Sequence, residues 1–187
     1  MKDLRVLDFG AGGLGSAFEQ RKLQNGGDTR DFYSYDSDLT VQQALKEEGF
    51  FYDFWRDDSL LATFDMIVAN QVYEHLDRQE RIDFIQRSAD LLKSGGRMVI
   101  AYPFVLYNMN FKYFWEDITH NPVGVEAEAG FIEQFGFRCN VYVAGLKGDP
   151  LGILENIICL LRNLLLLFPP FWITVVEALK VETGKTV

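Results

Sequence analysis

Cysteine, histidine and clustered positive charge are what this sequence has little of. Its 187 residues include 2 Cys and 2 His. Cys139 and Cys159 form no Cys-x-x-Cys pair, and His75 and His120 are too few to complete a zinc site, so neither a metal nor a disulfide framework is expected. Both cysteines are expected to be reduced core residues. Lys and Arg number 18 against 27 Asp and Glu, giving a net charge of −9. No basic cluster offsets that balance, so nucleic acid is not an expected partner, whereas a cationic ligand would be attracted. Only a few residues precede the first apolar stretch, which leaves no room for a signal peptide and makes the cytoplasm the expected compartment. A transmembrane span is not expected either: the most apolar segment, 151–172, is barely long enough and is broken by Glu155, Asn156, Arg162, Asn163 and the pair Pro169-Pro170.

What the chain does have is enough apolar material for one domain. Hydrophobic residues make up 48% and charged ones 24%, ordinary for a globular protein, whereas aromatics at 14%, with 16 Phe, are high and point to a pocket or an additional apolar surface. Val6, Leu7 and Phe9 form an apolar run suited to a buried parallel strand. Gly10, Gly12, Gly13 and Gly15 follow at once, and residues 16–23 can open a helix. Glycines here allow positive φ and a close approach to the backbone, while the first amides of the helix face the same place. Gly10-x-Gly12-x-x-Gly15 fits the dinucleotide fingerprint literally. Asp8, two residues before the first glycine, suits a cationic ligand group better than a pyrophosphate.

LRVLDFGAGGLG resembles the first motif of the class I S-adenosylmethionine (SAM)-dependent methyltransferases, an acid followed by G-x-G-x-G, with Leu14 at the family's usual third glycine and Gly15 after it. A second stretch, Phe64-Asp65-Met66-Ile67 through Val72-Tyr73-Glu74-His75-Leu76, is similar to the family's FD-x-I…V-x-EHL segment. The resemblance covers about residues 4–143 plus a last strand. It implies a Rossmann-like α/β fold: a seven-stranded, mostly parallel sheet in the order 3-2-1-4-5-7-6 with helices on both faces and SAM as the cofactor. Relatives usually carry helices before the first strand, so the chain is expected to be either minimal or short of an N-terminal piece.

Alternating strand and helix patterns continue along the chain. Residues 31–36 read as a second strand ending in Asp36, an acid placed to accept both hydroxyls of a ribose. That geometry serves SAM and nicotinamide dinucleotides alike; the resemblance assigns Asp36 to SAM, while Asp36, Ser37 and Asp38 could also cap the next helix, 39–48. Residues 50–55 read as a third strand, 64–70 as a fourth, 78–93 as a helix closing at Gly95-Gly96, and 97–103 as a fifth strand. A helix over 125–135, a sixth strand over 137–143 and a last, antiparallel strand over 173–180 complete the pattern.

The cofactor-binding set that the resemblance implies is Asp8, Gly10, Ala11, Gly12, Gly15, Asp36, Ser37, Asp53, Phe54, Asn70, Gln71 and Val72. Within it, Asp53 would accept from the adenine amino group and the Phe54 amide would meet a ring nitrogen, although Asp57 and Asp58 lie close enough to compete. Gln71 and Val72 would border the methionine part. Aromatic residues gather over 104–122, after a C-terminal strand end, and are read as acceptor-site material. Asp117-Ile118-Thr119-His120 resembles the D-x-T-H of a subset of these enzymes, so His120, and after it His75, are the candidate general bases for an oxygen acceptor. The expected acceptor is a small molecule, a glycan or a lipid-linked group. Two other readings stand beside this one: a nicotinamide-dependent oxidoreductase using the same glycines and Asp36, and a SAM-binding relic without turnover. The segment 151–172 reads as an apolar helical insertion with one narrow polar stripe. It is expected to pack on the domain or a second copy, ahead of a membrane surface.

Overall fold

The computed structural model of the chain describes residues 4–12, 31–103, 125–145 and 172–181. Six strands make one sheet: β1 (Val6–Phe9), β2 (Phe32–Tyr35), β3 (Phe64–Asn70), β4 (Leu92–Pro103), β5 (Phe137–Gly145) and β6 (Trp172–Lys180), in the order β2-β1-β3-β4-β6-β5. β1 pairs in parallel with both β2 and β3, and β3 pairs in parallel with β4. β6 runs antiparallel to β4 on one side and to β5 on the other. The expected order therefore holds, with one difference: the third strand is reduced to a single parallel bridge between Ser34 and Phe51. The reason is local, because after Tyr52 the backbone N–H groups of Arg56 and Asp57 turn back to the carbonyl of Asp53 and end any extended pairing.

Alternation along the strands sorts their side chains between the two faces. Leu7, Phe9, Ile67, Ala69, Met98, Ile100, Tyr102, Val176 and Ala178 join one core with Phe84, Ile85 and Leu91 of α2 (Arg78–Leu91) and Ile132 of α3 (Val125–Glu133). Val6 and Phe32 begin a second cluster, with Met66 and Val68 packed against it. Asp8, two residues on from Val6, falls on the Val6 face.

Helix α1 (Leu39–Glu47) starts at Asp38, whose carboxylate accepts from the amides of Thr40 and Val41. α2 starts with a reciprocal pair: Asp77 accepts from the Glu80 amide, and the Glu80 carboxylate accepts from the Asp77 amide. It stops at Leu91 rather than continuing to Lys93. Leu92 is buried and already pairs with Phe64, and the Lys180 ammonium donates to the carbonyls of Ala89 and Leu92 at 2.6 and 2.7 Å, satisfying acceptors that the helix end leaves open. Gly95 and Gly96 thus lie in an irregularity at the start of β4, not in a helix cap. Cys139 is a free, half-buried thiol. No helix among the described residues is long and apolar enough to cross a membrane. The insertion at 151–171, Gly15, His120, the aromatic stretch 104–122 and Cys159 lie outside the described residues.

Candidate functional site

The site forms at the C-terminal ends of β1, β2 and β3, where chain order puts β1 between the other two. As β1 ends, Gly10 takes φ 76° and Gly12 φ 63°. Gly10 has a packing reason to lack a side chain, since a Cβ there would fall 2.6–3.0 Å from the Val72 side chain. That contact locks the loop after β1 against the loop after β3. Gly12 is different: among the described residues a Cβ there meets nothing within 4 Å.

All three amides of this turn have acceptors within the protein. Gly10 N and Ala11 N donate to the Tyr35 carbonyl at 2.9 and 3.1 Å, and Gly12 N donates to Asp36 Oδ2 at 2.8 Å. Asp36 Oδ1 accepts from Asp38 N at 2.9 Å. A carboxylate offers about four lone-pair positions, so Asp36 retains about two for a ligand after these bonds. Helix capping falls to Asp38 rather than Asp36, and Ser37 stands exposed between them.

Asp8 is 6% exposed, between Ser34 and Val68 in the strand register. Burial, with the nearby Asp36 carboxylate adding to it, pushes its carboxyl up to about 6. Burial also raises the Tyr35 phenol, and the carboxylates of Asp53 and Asp36 add to that shift. Asp36 thus acts on Asp8, and both Asp36 and Asp53 act on Tyr35, so negative charge gathers around the end of β2 and a cation bound there would be favoured.

Asp53 is half-buried, with Oδ1 accepting from Trp55 N at 3.2 Å. Its two competitors are engaged elsewhere. Asp57 accepts from Ser59 N, and Asp58 pairs with Arg87 at 2.7 Å. The Phe54 ring is fully buried among Phe9, Phe84 and Trp55 and cannot itself touch a ligand, whereas its N–H has no acceptor among the described residues. Trp55, 37% exposed, stands edge-on to Phe9, Tyr35 and Phe54 at the same opening.

On the other flank, Asn70 ends β3 exposed, and Gln71 has φ 55°, a left-handed conformation unusual for a residue with a side chain. It is held by its N–H to the Ala101 carbonyl at 2.8 Å and by Val72, fixed against Gly10. The turn Tyr73–His75 then buries Tyr73 and Glu74 and leaves His75 exposed. Tyr73 donates to Glu128 Oε1 of α3, while the Arg81 guanidinium lies 3.9 Å from Glu128 Oε2 and 5.1 Å from the Tyr73 ring centre. Tyr102, at the end of β4, is fully buried, and its phenol is raised by burial and by Glu128. Sequence pattern pointed to none of Tyr73, Arg81, Tyr102, Glu128 or Arg87. Their contacts join elements tens of residues apart, and the charges of the helix over 78–93, which sequence reads as a solvated face, include Arg81 and Arg87, both of which the structure largely buries.

No protein-family model and no curated protein matches the chain. Solved structures do match it. A SAM-dependent methyltransferase from Archaeoglobus fulgidus superposes with a TM-score of 0.66 at 21% identity, covering 96% of this chain and 87% of that one. The fold is that of the class I SAM-dependent methyltransferases. Phosphoethanolamine N-methyltransferase 2 from Haemonchus contortus, solved with SAM, gives a TM-score of 0.63 at 13% identity over 96% of this chain and 49% of its own. A mitomycin 7-O-methyltransferase gives 0.59 at 14% identity over 95% and 49%. Those names put the methyl group on nitrogen in one case and oxygen in the other, so this methyltransferase fold does not by itself choose the acceptor atom.

Proposed function

We propose that the chain is a SAM-dependent methyltransferase whose cofactor lies across the ends of β1, β2 and β3. The observation that carries this reading is the fate of the turn amides. A dinucleotide-binding loop offers such N–H groups to a pyrophosphate. Here those of Gly10, Ala11 and Gly12 go to Tyr35 and Asp36, and the acids Asp8, Asp36 and Asp53 make the surroundings hostile to phosphate and favourable to a sulfonium and an ammonium. The residues fit SAM: Asp36 retains acceptor capacity for two ribose hydroxyls, and Gly12 leaves room for a close approach. Asp53 and the Phe54 N–H supply an acceptor and a donor for the adenine edge. Asp8 faces the ammonium of the methionine part, bordered by Asn70, Gln71 and Val72.

When bound, SAM supplies an already activated methyl group, so the protein's task is to orient, exclude water and hold an acceptor in line. The strained Gln71 and the Gly10–Val72 contact set the geometry of the methionine side. The acceptor is a small molecule, a glycan or a lipid-linked group, methylated at oxygen. His120 is the first candidate base and the exposed His75 the second. Incubation with methyl-labelled SAM and a panel of hydroxyl and amine acceptors tests the reading. Label transfer to a hydroxyl that is lost in His120→Ala supports it; transfer only to amines, unaffected by either histidine, overturns the oxygen assignment. Tight binding without transfer to any acceptor favours a relic.

A further inference from the structure

In this chain the segment that carries Asp53 and Phe54 is not held by the sheet. It meets β2 through one bridge at Phe51, and beyond Tyr52 no strand pairing continues. Side chains take over that function: the Tyr52 phenol donates to the Asp57 carbonyl, and one residue of α2 reaches further along the segment. Arg87 of α2 donates Nε to the Phe54 carbonyl at 2.7 Å, Nη2 to the Asp57 carbonyl at 2.8 Å and Nη1 to Asp58 Oδ1 at 2.7 Å. Its side chain is 13% exposed, so these bonds form largely out of water, whereas Asp58 at 71% exposed adds little. The planar guanidinium offers its donors in a fixed fork, and three acceptors on one fork fix the position and rotation of the segment.

We propose that Arg87 is the positioning residue for the adenine end of the cofactor and gives the chain its preference for adenine over a 6-oxopurine. This rests on the methyltransferase reading above. The Phe54 carbonyl that Arg87 holds belongs to the same residue as the Phe54 N–H, and Asp53 is its neighbour. Moving Arg87 therefore changes the spacing between the acceptor and the donor that face the base. Adenine presents an amino donor and a bare ring nitrogen to that pair, a match. Hypoxanthine presents a carbonyl and a protonated nitrogen, which puts oxygen against the Asp53 carboxylate and N–H against the Phe54 N–H. Discrimination of this kind depends on the pair being held rigidly, since a mobile carboxylate can swing to accept from the protonated nitrogen. Arg87 needs no contact with the cofactor to act in this way.

The test titrates the full chain with S-adenosylhomocysteine and with S-inosylhomocysteine, in the unmodified protein and in Arg87→Gln, Arg87→Lys and Asp58→Asn, with a thermal melt of each. The unmodified protein prefers the adenosyl ligand by at least about tenfold, the scale of a mismatched polar pair. In Arg87→Gln that preference falls to within about threefold, and Arg87→Lys, which keeps the charge but loses the fork, lies between. Asp58→Asn leaves it unchanged. A lower melting temperature with the preference intact in a folded Arg87→Gln means that Arg87 is only structural and overturns the proposal. If the glutamine variant does not fold, an intact preference in Arg87→Lys does the same. An unmodified protein that binds neither ligand overturns the methyltransferase reading itself, a failure distinct from either of these.

Discussion

At the β1 and β2 end of the sheet, carboxylates hold backbone amides: Asp36 takes the N–H groups of Gly12 and Asp38, both partly open to solvent. Between β3, β4 and α3 the contacts instead run from side chain to side chain, with Tyr73 on Glu128, Arg81 against both, and Tyr102 buried beside them. The first kind of contact can share an oxygen with a ligand hydroxyl at little cost. The second is sealed from water, where an altered partner leaves a polar group stranded. Recognition is therefore expected on the first side and rigidity on the second.

Gly10→Ala breaks the seam between the two sides and is the largest expected effect. A Cβ at 2.6 Å from Val72 in a backbone with φ 76° is both overpacked and strained, with an expected loss of about 3 kcal/mol or more in denaturant unfolding. Gly12→Ala sharpens the contrast, because with no described neighbour within 4 Å of a Cβ there the expected loss is the backbone penalty of about 1 kcal/mol, while affinity for SAM falls.

Asp8→Asn comes next. Its folded-state value, raised to about 6 from the ordinary carboxylate range, means that Asp8 favours folding fully only below the unfolded value near 4, and that this contribution is lost as pH rises through 6. The charged form thus destabilises the ligand-free protein at neutral pH, by up to about 3 kcal/mol for a shift of about two units. Melts of Asp8→Asn should show a gain at pH 8 that shrinks toward pH 4.5, together with weaker SAM binding at pH 8. A gain of equal size at both pH values would remove the burial of Asp8 from the account.

Asp36→Ala should weaken SAM by about tenfold or more, on the order of 1–3 kcal/mol for a ligand hydroxyl left without its acceptor, as read by calorimetric titration. Tyr73→Phe is the smallest effect: Glu128 keeps Arg81, so a loss of about 1 kcal/mol in stability is expected, with SAM affinity changing much less than in Asp36→Ala.

The same contrast separates what sequence could reveal from what it could not. The strand and turn at Asp8–Gly12 and the placing of Asp36 after the second strand are legible from local signals, an apolar run, glycines at fixed spacing and an acid at a strand end, whereas the strand order comes with the family resemblance. The third strand is shorter than the pattern of Phe50 to Trp55 suggests, because the N–H groups of Arg56 and Asp57 turn back to the Asp53 carbonyl, a bonding choice that strand-like alternation does not reveal. The helix ends at Leu91, short of the Gly95-Gly96 pair that sequence marks as its stop, where the Lys180 ammonium reaches across from β6 to the carbonyls of Ala89 and Leu92. Tyr73 and Arg81 meet Glu128 only once the turn after β3 and α2 are packed against α3, and no spacing rule joins those elements. Gln71 carries the least readable feature, a left-handed backbone at a residue type that gives no sign of it.

Titration of the unmodified protein with S-adenosylhomocysteine and, separately, with NAD tests the central claim most directly. Because the amides of Gly10, Ala11 and Gly12 are already bonded to Tyr35 and Asp36, and the acids around them repel phosphate, the account predicts saturable one-to-one binding of S-adenosylhomocysteine and no measurable binding of NAD. Saturable binding of NAD with none of S-adenosylhomocysteine would contradict it.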